Sequence, residues 1–144
     1  MKEIRVSVDK DAVYDAVAAA TAYGESGDDR QERLMTVREN AEVLDGFWAE
    51  GCSGVCTRVR RHLLGEGEEE GEGWSLTLEV SGLFNDGLAA GMGVDLERHM
   101  RDYVLSRWYA LMGDKRAAEY AAGASAHLES FCRKLFNKKS GVYL

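Results

Sequence analysis

Nine consecutive residues in the middle of the chain, Gly65 to Gly73, are glycine or glutamate only. Such a run has no apolar atom to bury, carries five charges of one sign and has the backbone freedom of four glycines. It therefore predicts a solvated, mobile connection between two packed parts of one domain, residues 1–144. Directly after it, Trp74-Ser75-Leu76-Thr77-Leu78-Glu79-Val80 alternates apolar and polar side chains, the period of a half-buried strand. Ile4, Val6 and Val8 alternate in the same way. Strands at about 3–8 and 74–81 are the two candidates, and because a lone pair is marginal in water they must lie on helices or be completed by another subunit.

Everything else reads as helix. Proline is absent from all 144 residues, so the usual helix breaker is missing. Leu34, Val37, Ala41, Leu44, Trp48, Cys52, Val55, Val59 and Leu63 recur at steps of three and four, one apolar stripe over about 30 residues, or ~45 Å at the helical rise. Asp28 with Gln31 supplies a start for it by reciprocal capping. Gly46, Gly51 and Gly54 interrupt the stripe, and a kink or break between Gly51 and Gly54 would split it in two. Asp9 caps a helix through Val13, Val17 and Ala20 toward Tyr23. Asp95 caps another with Leu96, Met100, Tyr103, Val104, Trp108 and Leu111 inside, ending at Gly113. Asp114 then caps a last helix with Ala117, Ala121, Ala124, Leu128, Phe131 and Leu135 inside. Its alanines let a neighbour approach closely, while Phe131, Leu135 and Phe136 fill a wider gap. The short link makes this pair an antiparallel hairpin. The expected fold is mainly α, a bundle of about four to five helices with a small two-stranded β element.

A net charge of −7 opposes general adhesion to nucleic acid or anionic membrane. No apolar run approaches the roughly 20 residues of a membrane span, and Met1-Lys2-Glu3-Ile4-Arg5 lacks a signal-peptide layout, so a cytoplasmic protein is expected. Three cysteines, an odd number, suit a reducing compartment. Cys52 and Cys56 share a helical face, but two thiols do not close a metal site, and His62, His99 and His127 have no ligand spacing. Buried thiols packing as small hydrophobes account for them. Gly87-Leu88-Ala89-Ala90-Gly91-Met92-Gly93 lies where a phosphate loop would lie, but it follows neither glycine fingerprint and reads as a flexible connection. No nucleophile elbow or Cys-His frame exists, so no catalytic residue, metal or cofactor is assigned. An active site built from distant residues would show itself as a closed apolar pocket holding His99 or His127 beside a carboxylate.

Charge placement is more suggestive. Arg58, Arg60, Arg61 and His62 cluster at the end of the long stripe, and Arg133, Lys134, Lys138 and Lys139 at the end of the last helix. Cations there complement the helix dipole without any ligand. If both ends face one way, they also form a basic rim suited to a phosphate backbone or an acidic partner. Tyr143 and Leu144 in the tail have no helical partner, so the tail is frayed or docked on another copy.

The order of parts resembles the small head-to-tail connector (adaptor, or neck) proteins of tailed phages and prophages. The likeness is carried by the acidic lead Gly27-Asp28-Asp29, the long helix with Leu34, Leu44, Phe47 and Trp48, a variable middle and a helix from Leu96 to Met112. Phe131-Cys132-Arg133-Lys134-Leu135-Phe136 followed by Lys138 and Lys139 is similar to uncharacterised prophage proteins. Residues 3–23 and the Glu/Gly run depart from the pattern. The resemblance implies a non-catalytic structural protein that assembles as a ring between portal and tail, in the bacterial host's cytoplasm or the virion, with copies of itself and other virion proteins as partners and DNA passing through the centre. A monomeric helical interaction module and a small enzyme are the alternatives.

Overall fold

The computed structural model describes residues 1–23, 40–71 and 73–137. The capping pair Asp28 and Gln31, the stripe residues Leu34 and Val37, and Lys138, Lys139, Tyr143 and Leu144 lie outside them. In chain order the described elements are β1 (Lys2–Asp9), α1 (Lys10–Tyr23), α2 (Ala41–Arg58), β2 (Glu68–Glu70), β3 (Gly73–Val80), a single 3₁₀ turn at Asp86–Leu88, α3 (Ala89–Leu111) and α4 (Arg116–Leu135). The protein is mainly helical with a small antiparallel sheet.

Among the described residues the sheet has three strands in the order β1-β3-β2, where two were expected. Ile4 pairs with Leu78, Val6 with Leu76 and Val8 with Trp74, so the alternating residues of the two long strands share one face. That face is buried: Val6, Val8, Trp74, Leu76, Leu78 and Val80 all belong to the core. The third strand comes from within the glycine-glutamate run, where Glu68–Glu70 pairs with Ser75, Trp74 and Gly73 of β3, and it corrects the expected two-stranded element. Ladder pairing uses backbone groups, and the free edge of β3 needed partners whatever the side chains opposite. Glu68 and Glu69 keep their carboxylates in water. Gly71, at φ +57°, provides the left-handed turn residue, and a Cβ on Gly67 would stand 2.5 Å from the Trp74 indole nitrogen. Residues before β2 also follow β3, with Leu64 N donating to Thr77 O and Glu79 N donating to His62 O.

Asp9 caps α1 as expected, its Oδ1 accepting from the backbone N–H groups of Asp11 and Ala12. α2 passes unbroken through Gly46, Gly51 and Gly54. Gly51 serves close approach: a Cβ there would lie 2.8 Å from Met100 Cε of α3. The start of α3 is a second correction. It begins at Ala89, so the expected flexible stretch 87–93 is the 3₁₀ turn and first helical turns, and Asp95 is an interior residue, buried at 7% exposure. Asn85 instead accepts from Gly87 N ahead of the helix. The glycines that lower local helix propensity are held by packing, Gly91 against the Lys134 side chain and Gly93 over the backbone of Ser7.

α3 ends at Leu111, Gly113 just beyond it adopts φ +68°, and Asp114 Oδ1 accepts from Arg116 N at 2.8 Å to start α4. The α3–α4 hairpin is pinned by polar pairs along its length. Asp114 binds Arg116 at the turn, Asp102 lies 3.4 Å from His127 Nε2 in the middle, and Asp95 accepts from Lys134 Nζ and Ser130 Oγ at the far end. A one-turn slip would leave the buried Asp95 carboxylate without Lys134 and Ser130 and leave Asp102 with Arg101 of its own helix alone, so these contacts favour the observed register. The inner stripes of the last two helices are narrower than expected. Ala121 is exposed, Leu111 is 64% exposed, and Phe136 stands outside the core. Among the described residues no helix is long and apolar enough to cross a membrane.

Candidate functional site

Helix direction organises the surface. Phe47 of α2 lies against the Arg107 guanidinium and Gly51 against Met100 and Tyr103, so α2 runs antiparallel to α3. α4 is antiparallel to α3 as well, being its hairpin partner. The carboxyl ends of α2 and α4 therefore point the same way. His62 confirms it locally, its ring meeting the Phe136 ring edge-on with centroids 5.1 Å apart. Of the candidate interaction residues, Arg58, Arg60, Arg61 and Arg133 gather at this one end. Arg60 pairs with Glu66 at 3.4 Å, while Arg58, Arg61 and Arg133 form no ion pair among the described residues. Lys134 turns inward to Asp95 and is no part of a rim.

Large exposed apolar side chains divide between the two ends. Leu83 before α3, Val94 in its second turn and Phe136 after α4 are at the basic end; Val43 in the first turn of α2 and Leu111 and Met112 at the close of α3 are at the other. Single exposed apolar residues are ordinary, but grouped ones mark contact surfaces. The second end is of mixed charge: Glu42 and Glu119 are exposed in the first turns of α2 and α4, Asp45 pairs with Lys10, and Arg107, Lys115 and Arg116 stand at the same end. The direction of the helices could have been argued from sequence once the hairpin was accepted, but the exposure of Val43, Val94 and Leu111 could not.

A cleft opens between α2 and α4. Both pack on α3, and the space left between them, about 590 Å³, has α3 as its floor. Its walls are Gly51 and Gly54 on one side and Ala117, Ala121 and Ala124 on the other, trimmed nearly to backbone, with Leu128 beyond them. Polar groups are few. At the mouth, Tyr103 hydroxyl and Arg107 Nε both donate to Glu50 Oε2, at 3.3 and 3.2 Å. On the floor, Ser106 donates to Tyr103 O, and His99 Nδ1 donates to Ala124 O at 2.7 Å. Burial lowers the His99 pKa, outweighing the Ala124 hydrogen bond and the Asp102 carboxylate that favour its cation. His99 is thus a neutral imidazole at pH 7, a hydrogen-bond acceptor at Nε2. No described hydroxyl or thiol hydrogen-bonds to it, and the cleft is open, unlike the closed pocket expected of a hidden active site.

Cys56 and Cys132 are buried and Cys52 is half-buried. Cys52 and Cys56 line a smaller hollow of about 350 Å³ with Arg60, Glu66 and Trp74. Burial, helped by the Glu69 carboxylate, pushes the Cys52 pKa up to about 12, and burial raises Cys56 too. Both are protonated at neutral pH and poor nucleophiles or ligands. Among the described residues no group of three or more His, Cys, Asp or Glu side chains could hold a metal ion. No protein-family model matches the chain, no curated protein matches it, and no solved structure matches its fold.

Proposed function

We propose that this chain is a structural assembly subunit of the head-to-tail connector kind, a phage or prophage virion component that joins copies of itself end to end. The observation that carries the reading is that large exposed apolar side chains stand at both ends of one molecule, Leu83, Val94 and Phe136 at the end that holds Arg58, Arg61 and Arg133, and Val43, Leu111 and Met112 at the end that holds Glu42 and Glu119. Unlike surfaces that fit one another make a heterologous contact, which closes into a ring or runs on as a fibre. The apolar groups give it strength once water leaves, and Arg58, Arg61 and Arg133 meeting Glu42 and Glu119 orient the approach. Arginines not consumed in the contact would face other virion proteins or the phosphates of passing DNA. The setting is the host cytoplasm and then the particle, and the role needs no catalysis and no cofactor. Size-exclusion chromatography with light scattering, over rising protein concentration, tests the reading: masses above one chain are expected, shrinking as salt screens the charged ends. A strict monomer at every concentration contradicts it. That outcome would favour a monomeric interaction module, a second reading supported by the completeness of the core within one copy.

A further inference from the structure

We propose that the cleft between α2, α3 and α4 is a binding site for a flat, mainly apolar small molecule that carries one hydroxyl or N–H donor, anchored on Nε2 of His99. The site is separate from the two ends used in assembly and does not depend on them. Its volume, about 590 Å³, lies within the range of small-molecule pockets, and its walls of glycine and alanine leave room for a ring.

His99 makes this more than an apolar hollow. The side chain is only 6% exposed, so it is held in place by packing. Its Nδ1 proton goes to Ala124 O, which fixes the tautomer and leaves the lone pair on Nε2. Nε2 has no hydrogen-bond partner among the described residues. Among the described residues the buried side-chain nitrogens and oxygens without partners are two indole nitrogens, of Trp48 and Trp108, so Nε2 is not sealed inside the protein and opens on the cleft that His99 lines. A buried acceptor gains most from a donor delivered where water is scarce. Ser106 adds a second acceptor on the floor, since its own proton is committed to Tyr103 O. Around His99 the cleft floor thus presents the acceptors of His99 and Ser106, while the lining donors Ser125 and Arg107 are on its exposed sides, which favours a phenol-like or indole-like group at the floor over a ketone, ether or carboxylate. The neutral state of the buried imidazole suits this role, because a cation would reverse the preference.

The test uses the full chain and phenol as the probe, with toluene as the molecule of equal shape lacking the donor. Ring-nitrogen NMR of the histidines follows each titration. Saturable phenol binding that moves the His99 Nε2 resonance is expected, with toluene weaker by about threefold to tenfold, the range of one net hydrogen bond. Ala121→Phe, at an exposed position on the cleft wall, should fill the space and abolish the response. His99→Asn keeps a donor for Ala124 O while removing Nε2, and should bring phenol down to the level of toluene. Equal affinity for the two probes, no saturable binding, or a phenol response that survives Ala121→Phe would overturn the proposal. Should His99→Asn fail to fold, the comparison of phenol with toluene on the native chain and on Ala121→Phe decides alone.

Discussion

α3 and α4 are successive helices of similar length on either side of one tight turn, yet their surroundings differ sharply. α3 is packed by β1, α1, α2 and α4, whereas α4 packs chiefly on α3. Accordingly α3 buries Met92, Leu96, Met100, Val104, Leu105 and Trp108 together with Asp95, His99, Asp102 and Ser106, while α4 buries Ala124, Phe131, Cys132 and Leu135. The lesson is that the number of neighbours, more than the apolar pattern, sets how much of a helix is hidden. It also explains where the polar residues of α3 point: a helix enclosed on several sides must satisfy them against a neighbour, and α4 supplies Lys134, Ser130, His127 and the Ala124 carbonyl.

The largest effect expected from this contrast is between one core position and one cleft wall. Met100→Ala should cost ~2–5 kcal/mol by leaving a cavity in α3, while Ala121→Leu on α4 should stay within ~0.5 kcal/mol. Chemical denaturation measures both, and a comparable loss in the second variant would mean that the α4 wall is closed. A sharper version compares two glycines. Gly46→Ala, with nothing within 4 Å of the added Cβ, should gain ~0.5–1 kcal/mol from helix propensity. Gly123→Ala should lose stability, because its Cβ would stand 2.6 Å from Asp102 Oδ2 on the tight inner face of α4. A gain at both sites would break the claim that the hairpin interface is close-packed.

The smallest of the three is a pH effect. His99 is held with its pKa below the ordinary value of 6.5 by burial, so the unfolded chain binds the proton more tightly than the folded one. Its contribution to stability is present above pH 6.5 and is lost as pH falls through that value toward the folded pKa. Thermal unfolding between pH 7 and pH 5 should show native stability falling more steeply than that of His99→Asn. Parallel curves would mean that the imidazole is not kept neutral by its place at the α3–α4 contact.

Periodicity made both long strands, α1, the hairpin and its turn at Gly113 legible, because amphipathic spacing and capping residues act locally. β2 was illegible since its pairing depends on the exposed edge of β3 and on Gly71, and nothing in a glutamate run advertises a strand. Asp95 misled for a related reason. An aspartate before an apolar stripe normally starts a helix, and only Lys134 and Ser130 across the hairpin make it an interior residue. The cleft was half visible in the glycines of α2 and the alanines of α4. Its depth and the bare nitrogen of His99 follow from how α2 and α4 straddle α3, which no local pattern encodes.

The most direct test of end-to-end assembly pairs two damaged chains. Leu111→Glu spoils the end that holds Val43 and Met112 and Phe136→Glu the end that holds Leu83 and Val94, both at exposed positions that leave the core intact. Each variant alone should sediment as a monomer, and an equimolar mixture should form a one-to-one dimer through the two undamaged ends and grow no further. Dimers of either variant alone, or a mixture that stays monomeric while the native chain assembles, would contradict the account.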